Sequence, residues 1–333
     1  MDTTTARQFW IRSPGQGEIV AADLAPRQDG EVLVRAIYSG ISRGTEALVF
    51  RGEVPATQHD AMRAPFQEGC FPGPVKYGYA SVGEVLVGPA EVEGQTVFCL
   101  YPHQDLYCVP AGAVAPLPRG LPAGRAVLAA NMETALNAMW DARPGPGDRI
   151  VVVGAGVVGL LVARLCVQLP GTQLVVFDVD AGRAGVAEAL GLSFTSEPPV
   201  GADADLVIHA SGHEEGLRSA LAAAGLEATI LELSWYGSRS VSLPLGEAFH
   251  SRRLTLKSSQ VGRIPAERAP RWDHGRRMKT ALELLLDPRL DVLISGESDF
   301  EDLPRTLARL SRDPGGELCH RIRYPYEPPS PRA

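Results

Sequence analysis

What the chain lacks removes several broad classes. It has five cysteines in 333 residues, Cys70, Cys99, Cys108, Cys166 and Cys319, at unrelated spacings. They are too few and too scattered for a disulfide framework, so reduced thiols in a reducing compartment are expected. No apolar run reaches the roughly 20 residues of a membrane span, and the opening Met-Asp-Thr-Thr-Thr-Ala-Arg has no apolar signal core. A soluble, cytoplasmic protein without a membrane partner is expected. Excess positive charge is missing too: 32 basic and 39 acidic residues leave −7, interspersed without a basic stripe, so there is no footprint for a nucleic-acid partner. Lysine is confined to Lys76, Lys257 and Lys279. Arginine is therefore the general cation, and it carries a functional reading only inside a motif. The length exceeds what one hydrophobic core comfortably fills, which predicts two domains.

The most informative stretch runs Arg149-Ile-Val-Val-Val-Gly154-Ala-Gly156-Val157-Val158-Gly159, followed by Val175-Val-Phe-Asp178. It reads as an apolar strand, a glycine turn, a helix and an acid-tipped second strand, which is the pattern of a dinucleotide site. Gly154 permits the tight turn, Gly156 lets amides approach a pyrophosphate, and Gly159 lets helix and strand pack closely. Val157 and Val158 open the helix and share the cofactor-binding assignment. Asp178 lies 19 residues after Gly159, where a carboxylate accepts hydrogen bonds from the adenine-ribose diol and repels a 2′-phosphate. NAD rather than NADP is the expected cofactor.

Around this unit the pattern is uneven. Short β-rich runs such as Glu31–Tyr38 and Tyr79–Val87, separated by Gly and Pro turns, predict a twisted antiparallel β domain. A helical segment from Gly124 to Asp141 leads into the first strand of the dinucleotide unit. Beyond Asp178, strands at Asp205–His209, Ala228–Leu233 and Leu254–Ser258 alternate with helices near 182–191 and 214–224, which implies a doubly wound parallel sheet. The pattern changes near Gly262, where a helix Trp272–Leu285, a helix 301–311 and a strand Leu318–Tyr324 follow. Pro325–Ala333 is polar, Pro-rich and expected to be mobile.

The order and spacing of Ser39-Gly-Ile-Ser-Arg-Gly-Thr-Glu46, Tyr77-Gly-Tyr-Ala-Ser-Val-Gly-Glu-Val85, Glu133-Thr-Ala-Leu-Asn-Ala138 and the Gly154 fingerprint resemble the medium-chain dehydrogenase/reductase superfamily, of the zinc-type alcohol or threonine dehydrogenase kind. The resemblance covers nearly the whole chain. It implies an α/β protein with a discontinuous GroES-like, β-rich catalytic domain, residues 1–120 and 263–333, and a Rossmann domain, residues 121–262. It also implies a homo-oligomer, a dimer or tetramer. Zinc-dependent relatives place a cysteine after the Gly-Ile pair, a His-Glu pair after the later glycine, and a Cys or Glu at the start of the interdomain helix. Here those positions hold Ser42, Tyr79-Ala80 and Ala129-Ala130, which are poor or useless zinc ligands. The four-cysteine lobe of those relatives is missing as well. His59, Asp60, Cys70, His103 and Cys108 could gather a relocated metal, yet no pair has metal-site spacing. No metal is expected.

Oxidising an alcohol without zinc still requires a group that takes the hydroxyl proton and steadies the developing alkoxide. Tyr79, standing where a metal-binding histidine would be, is the first candidate, with core packing as its competing reading. Thr45 is second, although the histidine that relays the proton onward in relatives is missing near Val49. Ser42, His103 and Glu133 complete the catalytic candidates, and Glu46 and Lys76 are further acid/base possibilities. The alternatives are that Glu46 and Glu133 pair with arginines or cap helices, that His103 is a satisfied strand histidine, and that Lys76 is a solvated loop residue. By resemblance, Arg183 covers the adenosine ribose, Arg43 or Arg321 meets the pyrophosphate, and Ser211 ends a strand at the nicotinamide edge. Trp235 and Tyr236, with Lys76, are candidates for the substrate pocket. Arginines in 249–254 and 271–277 would suit a polar or anionic small molecule.

The Ser-Gly-Ile-Ser-x-Gly-Thr-Glu turn is similar to that of bacteriochlorophyllide hydroxyethyl dehydrogenases, which oxidise a secondary alcohol. The leading expectation is zinc-independent, NAD(H)-dependent interconversion of a polar secondary alcohol and its ketone. Quinone or enone reduction is one alternative, though NADPH is usual there and Asp178 speaks against it. A non-catalytic dinucleotide-binding protein is the other.

Overall fold

A computed structural model describes residues 4–313 and 315–325; the expected mobile tail falls, beyond Pro325, outside them. The chain forms two compact units, Met1–Ala130 with Ile294–Ala333, and Asn131–Leu293.

The first unit opens with a hairpin, β1 (Thr5–Ser13) and β2 (Gln16–Asp23), turned at Gly15 with φ +78°. β3 (Glu31–Ile41) alternates buried Val32, Val34 and Ala36 with more exposed neighbours, the period-2 pattern of a half-covered strand. Helix α1 (Arg43–Phe50) follows, then β4 (Glu68–Gly69), β5 (Val75–Lys76), β6 (Ser81–Val87), β7 (Thr96–Cys99), β8 (Leu106–Pro110), β9 (Val114–Pro116) and helix α2 (Ala123–Ala126).

Helix α3 (Ala129–Ala142) leads into the second unit. There β10 (Arg149–Val153), α4 (Val157–Cys166), β11 (Gln173–Phe177), α5 (Ala184–Ala189), β12 (Ser193–Thr195), β13 (Ala204–His209), α6 (Glu214–Ala223), β14 (Ala224–Glu232) and β15 (Thr255–Ser258) build one parallel sheet of order β12-β11-β10-β13-β14-β15. Ile150–Val153 are all buried, as a strand covered on both faces requires. The order reverses between β10 and β13, so a ligand crevice is expected at their carboxyl ends.

After α7 (His274–Leu284) the chain returns to the first unit with β16 (Ile294–Asp299), α8 (Leu303–Arg312) and β17 (Cys319–Arg323). β17 pairs antiparallel with β3, completing the sheet β16-β17-β3-β6-β7-β9, with β8 beside β3; a smaller sheet runs β2-β1-β5-β4.

The boundaries at 130 and 293 differ from the 120 and 262 read from sequence. The cause is the packing of α7 on α3: Arg277 bonds Glu133 and Asn137, and the Trp140 and Trp272 rings lie 4.8 Å apart. The single helix expected over 124–141 is two, α2 and α3.

Candidate active site

The turn between β10 and α4 has contacts that only glycine admits. Gly154 has φ +108°, and a Cβ there would lie 2.7 Å from the Ser211 backbone nitrogen. A Cβ on Gly159 would lie 2.0 Å from the Gly154 carbonyl oxygen, so the helix sits this close to the strand only without a side chain. Gly156 is the N-cap of α4 and has nothing within 4 Å of such a Cβ. The first amides of the helix, at the partly exposed Val157 and Val158, have no intrahelical acceptor. Closed on the strand side and open at Gly156, the turn fits a pyrophosphate. Asp178 follows β11 at its rim, with Oδ2 accepting the Ala155 amide at 2.7 Å and Oδ1 the Asp180 amide at 2.9 Å. Arg183, expected over the ribose, instead places Nε 3.2 Å from the Asp180 carboxylate.

Beside this turn lies a network that the sequence reading missed. His209, fully buried at the end of β13, has Nε2 2.6 Å from Ser211 Oγ and Nδ1 2.7 Å from Glu232 Oε2. The Tyr236 hydroxyl donates to the same Glu232 oxygen at 3.0 Å, and the Ser234 amide donates to Oε1 at 2.7 Å. The candidates Ser211 and Tyr236 are thus joined through His209 and Glu232, while Trp235 is partly buried in the same segment. The available signal was a His and a Glu at matching last positions of neighbouring strands, which pair in register.

In the first unit, three candidates meet. The Tyr79 hydroxyl is hydrogen-bonded to the side chains of Ser42 and Thr45, and its ring meets Tyr77 edge-on at 6.0 Å. Ser42 is the N-cap of α1 and Thr45 lies in its first turn. Glu46, one residue on and buried, accepts the Ser42 amide at Oε1, 2.8 Å, and faces His103 Nε2 at Oε2, also 2.8 Å. His103 lies before β8 rather than within a strand, and its Nδ1 is 2.7 Å from Ser39 Oγ, which is 3.0 Å from the Tyr324 hydroxyl. The contact between Ser39 and Tyr324 carried no sequence signal, because β3 and β17 are adjacent only in the folded sheet. Burial first, and the Glu46 charge second, push the Tyr79 phenol up to about 12, with the Ser42 and Thr45 hydroxyls opposing.

Other candidates are committed elsewhere. The Glu133 carboxylate is 3.0 Å from Arg277 Nε in a buried pair that joins α3 to α7; its acid/base reading gives way to the arginine pairing. Lys76 is buried, not a solvated loop residue: its ammonium meets Glu68, lies 2.8 Å from Gln104 Oε1 and sits 5.3 Å from the Tyr101 ring centre. Burial lowers its pKa, with Glu68 opposing. Arg43 donates to the Glu317 carbonyl, and Arg321 Nε donates to Glu297 at 2.6 Å while stacking on Tyr38. Arg252 donates to the Ala224 carbonyl at 2.6 Å, and Arg276 stacks on Trp272. Of the cysteines in this unit, Cys99 is buried, Cys108 partly so and Cys70 exposed. His59 Nε2 lies 3.2 Å from the Val54 carbonyl oxygen. Among the described residues, no group of three His, Cys, Asp or Glu side chains is arranged to hold a metal.

A β-rich unit closed by a returning C-terminal segment, with a 3-2-1-4-5-6 parallel sheet carrying a dinucleotide turn, defines the class: a GroES-like domain joined to a Rossmann domain. Solved structures share it. Escherichia coli L-idonate 5-dehydrogenase superposes with TM-score 0.78 at 15% identity, covering 96% of this chain and 99% of that one. A short chain alcohol dehydrogenase from Escherichia coli, complexed with NADH, gives 0.73 at 18% identity over 96% and 99%. In sequence, D-guloside 3-dehydrogenase of Escherichia coli K12 is 25% identical over 308 residues, 83% of this chain and 87% of that one. No family model matches the chain. In sequence the chain is similar to these alcohol and polyol dehydrogenases, and in fold to their GroES-like and Rossmann domains.

Proposed function

We propose that this protein is an NAD(H)-dependent oxidoreductase that interconverts a polar secondary alcohol, of the sugar or polyol kind, and its ketone without zinc. The carrying observation is the Tyr79 hydroxyl on Ser42 and Thr45, with Tyr79 and Ser42 standing at positions that the family resemblance assigns to metal ligands. When bound, the nicotinamide dinucleotide supplies the hydride acceptor or donor. The Gly154–Gly159 turn would hold its pyrophosphate, and Asp178 would accept the adenine-ribose hydroxyls and disfavour a 2′-phosphate. Tyr79 would hold or release the proton of the substrate oxygen, and the Ser42 and Thr45 hydroxyls would fix the phenol's direction. The substrate class rests on the named activities of the relatives, a guloside and an idonate dehydrogenase.

The test is turnover of a panel of polyols, sugar acids and keto sugars with NAD(H), before and after chelation. Tyr79→Phe should lower kcat by about 10²–10⁴ with the NADH dissociation constant unchanged. Unchanged turnover removes Tyr79 from the reaction. Activity abolished by EDTA and restored by zinc refutes the metal-free reading.

A further inference from the structure

We propose, resting on the hydride-transfer reading above, that Glu46 and His103 are positioning residues whose buried pair keeps the Tyr79 hydroxyl a proton donor, so that this site favours ketone reduction at neutral pH.

The argument begins with hydrogen-bond direction. Glu46 and His103 are 2% and 1% exposed. A neutral imidazole bonded to a carboxylate donates from that nitrogen, here Nε2, which leaves Nδ1 as an acceptor. Ser39 must then donate its hydroxyl proton to Nδ1 and accept the Tyr324 proton in turn, across 2.7 and 3.0 Å. The Tyr324 oxygen itself accepts the Gln104 amide. With His103 neutral and Glu46 ionised, each of these side-chain hydrogen bonds has one donor and one acceptor, and the pair carries one buried negative charge. The Ser42 amide on Glu46 Oε1 anchors that charge to the first turn of α1, the same turn whose Ser42 and Thr45 hydroxyls hold Tyr79.

The titratable groups that meet Glu46 come from each element packed around it: Tyr77 and Tyr79 before β6, His103 before β8, and Cys319 and Tyr324 at the two ends of β17. The three phenols and the thiol are pushed up by burial first, and each also by Glu46. At neutral pH they are protonated. The geometry therefore places a protonated phenol, held by two hydroxyls, next to a fixed anion that resists phenolate formation.

A phenol in that state is an acid, not a base. In reduction a bound, reduced nicotinamide dinucleotide would supply the hydride for the carbonyl carbon, the C=O π pair would move to oxygen, and oxygen would take the Tyr79 proton. The phenolate left behind recovers a proton from water. In oxidation the same hydroxyl must start as phenolate, so the rate should rise about tenfold per pH unit through the neutral range while reduction stays flat.

The test uses the full-length protein labelled with 13Cζ-tyrosine, with the Tyr79 signal assigned by its loss in Tyr79→Phe. In the wild type this signal should stay at the phenol position to about pH 10.5, beyond the ordinary tyrosine midpoint of about 10. In Glu46→Gln, which keeps an acceptor for the Ser42 amide, its midpoint should fall by about one unit, and Glu46→Asp should restore it. A wild-type phenolate below about pH 9, or a Glu46→Gln midpoint that does not move in a protein with unchanged circular dichroism, overturns the inference. A wild-type Tyr79 that behaves as expected in a protein turning over neither alcohols nor ketones upholds the buried-charge assignment and refutes the proposed function instead.

Discussion

Replacing Arg277 by methionine tests what holds the second unit together. The guanidinium is 2% exposed and serves three acceptors: Glu133 Oε1 at 3.0 Å, Asn137 Oδ1 at 2.6 Å and the Val261 carbonyl at 2.6 Å. Methionine fills much of the volume but leaves a carboxylate and two carbonyl oxygens buried without their donor. Breaking a buried ion pair by removing one partner costs about 3–5 kcal/mol, and each orphaned neutral acceptor about 1–3 kcal/mol. These losses overlap within one network, so a deficit of about 4 kcal/mol near pH 8 is expected, a large part of a typical folding stability of about 5–15 kcal/mol.

The deficit also has a pH signature. Burial already holds the Glu133 carboxyl above its ordinary value of 4.5, with Arg277 as the largest opposing influence; without the arginine it rises further. A carboxyl raised in the folded state penalises folding fully above its folded pKa and not at all below its unfolded value. The gap between variant and wild type should therefore shrink as the pH falls from 8 towards about 5. Urea unfolding followed by tryptophan fluorescence suits the measurement, because Trp140 and Trp272 sit on this packing. Adding Glu133→Gln to Arg277→Met should recover part of the loss by removing the buried charge. A deficit under about 1 kcal/mol, or one of equal size at both pH values, would falsify the account.

Two further outcomes concern the dinucleotide turn. Gly159→Ala forces a methyl to within 2.0 Å of the Gly154 carbonyl oxygen, so α4 must move off β10, and NADH affinity read by fluorescence titration should fall by about tenfold or more; an unchanged dissociation constant would show that the turn is not the binding site. Asp178→Ser removes the carboxylate that discriminates against a 2′-phosphate, and the NADP-to-NAD ratio of kcat/KM should rise by at least about tenfold, roughly 1.4 kcal/mol; a ratio that stays put removes Asp178 from cofactor choice.

Local chemistry made the dinucleotide turn readable in one dimension. Strand, glycines, helix and acid all lie within residues 149–178, and each glycine's role is a steric statement about near neighbours, Gly154 and Gly159 above all. The same holds for the alternation of strands and helices up to β15, since period-2 and period-3.6 patterns are local. The motif positions of Ser42, Thr45 and Tyr79 can likewise be read in one dimension.

Only the folded chain decided which partners those residues have. His103 meets Glu46 and Ser39 across 57 and 64 residues, and Ser39 meets Tyr324 across 285. Glu133 meets Arg277 across 144, which places α7 inside the second unit with α3. The sequence reading offered Arg43 or Arg321 to a pyrophosphate and the arginines in 249–254 and 271–277 to an anionic molecule, whereas Arg43, Arg252, Arg277 and Arg321 are bonded to backbone or carboxylate. The physical reason is desolvation. Burying a charged or polar group demands a partner, and which group supplies it depends on sheet register and helix packing, set by long-range contacts that no window of sequence contains.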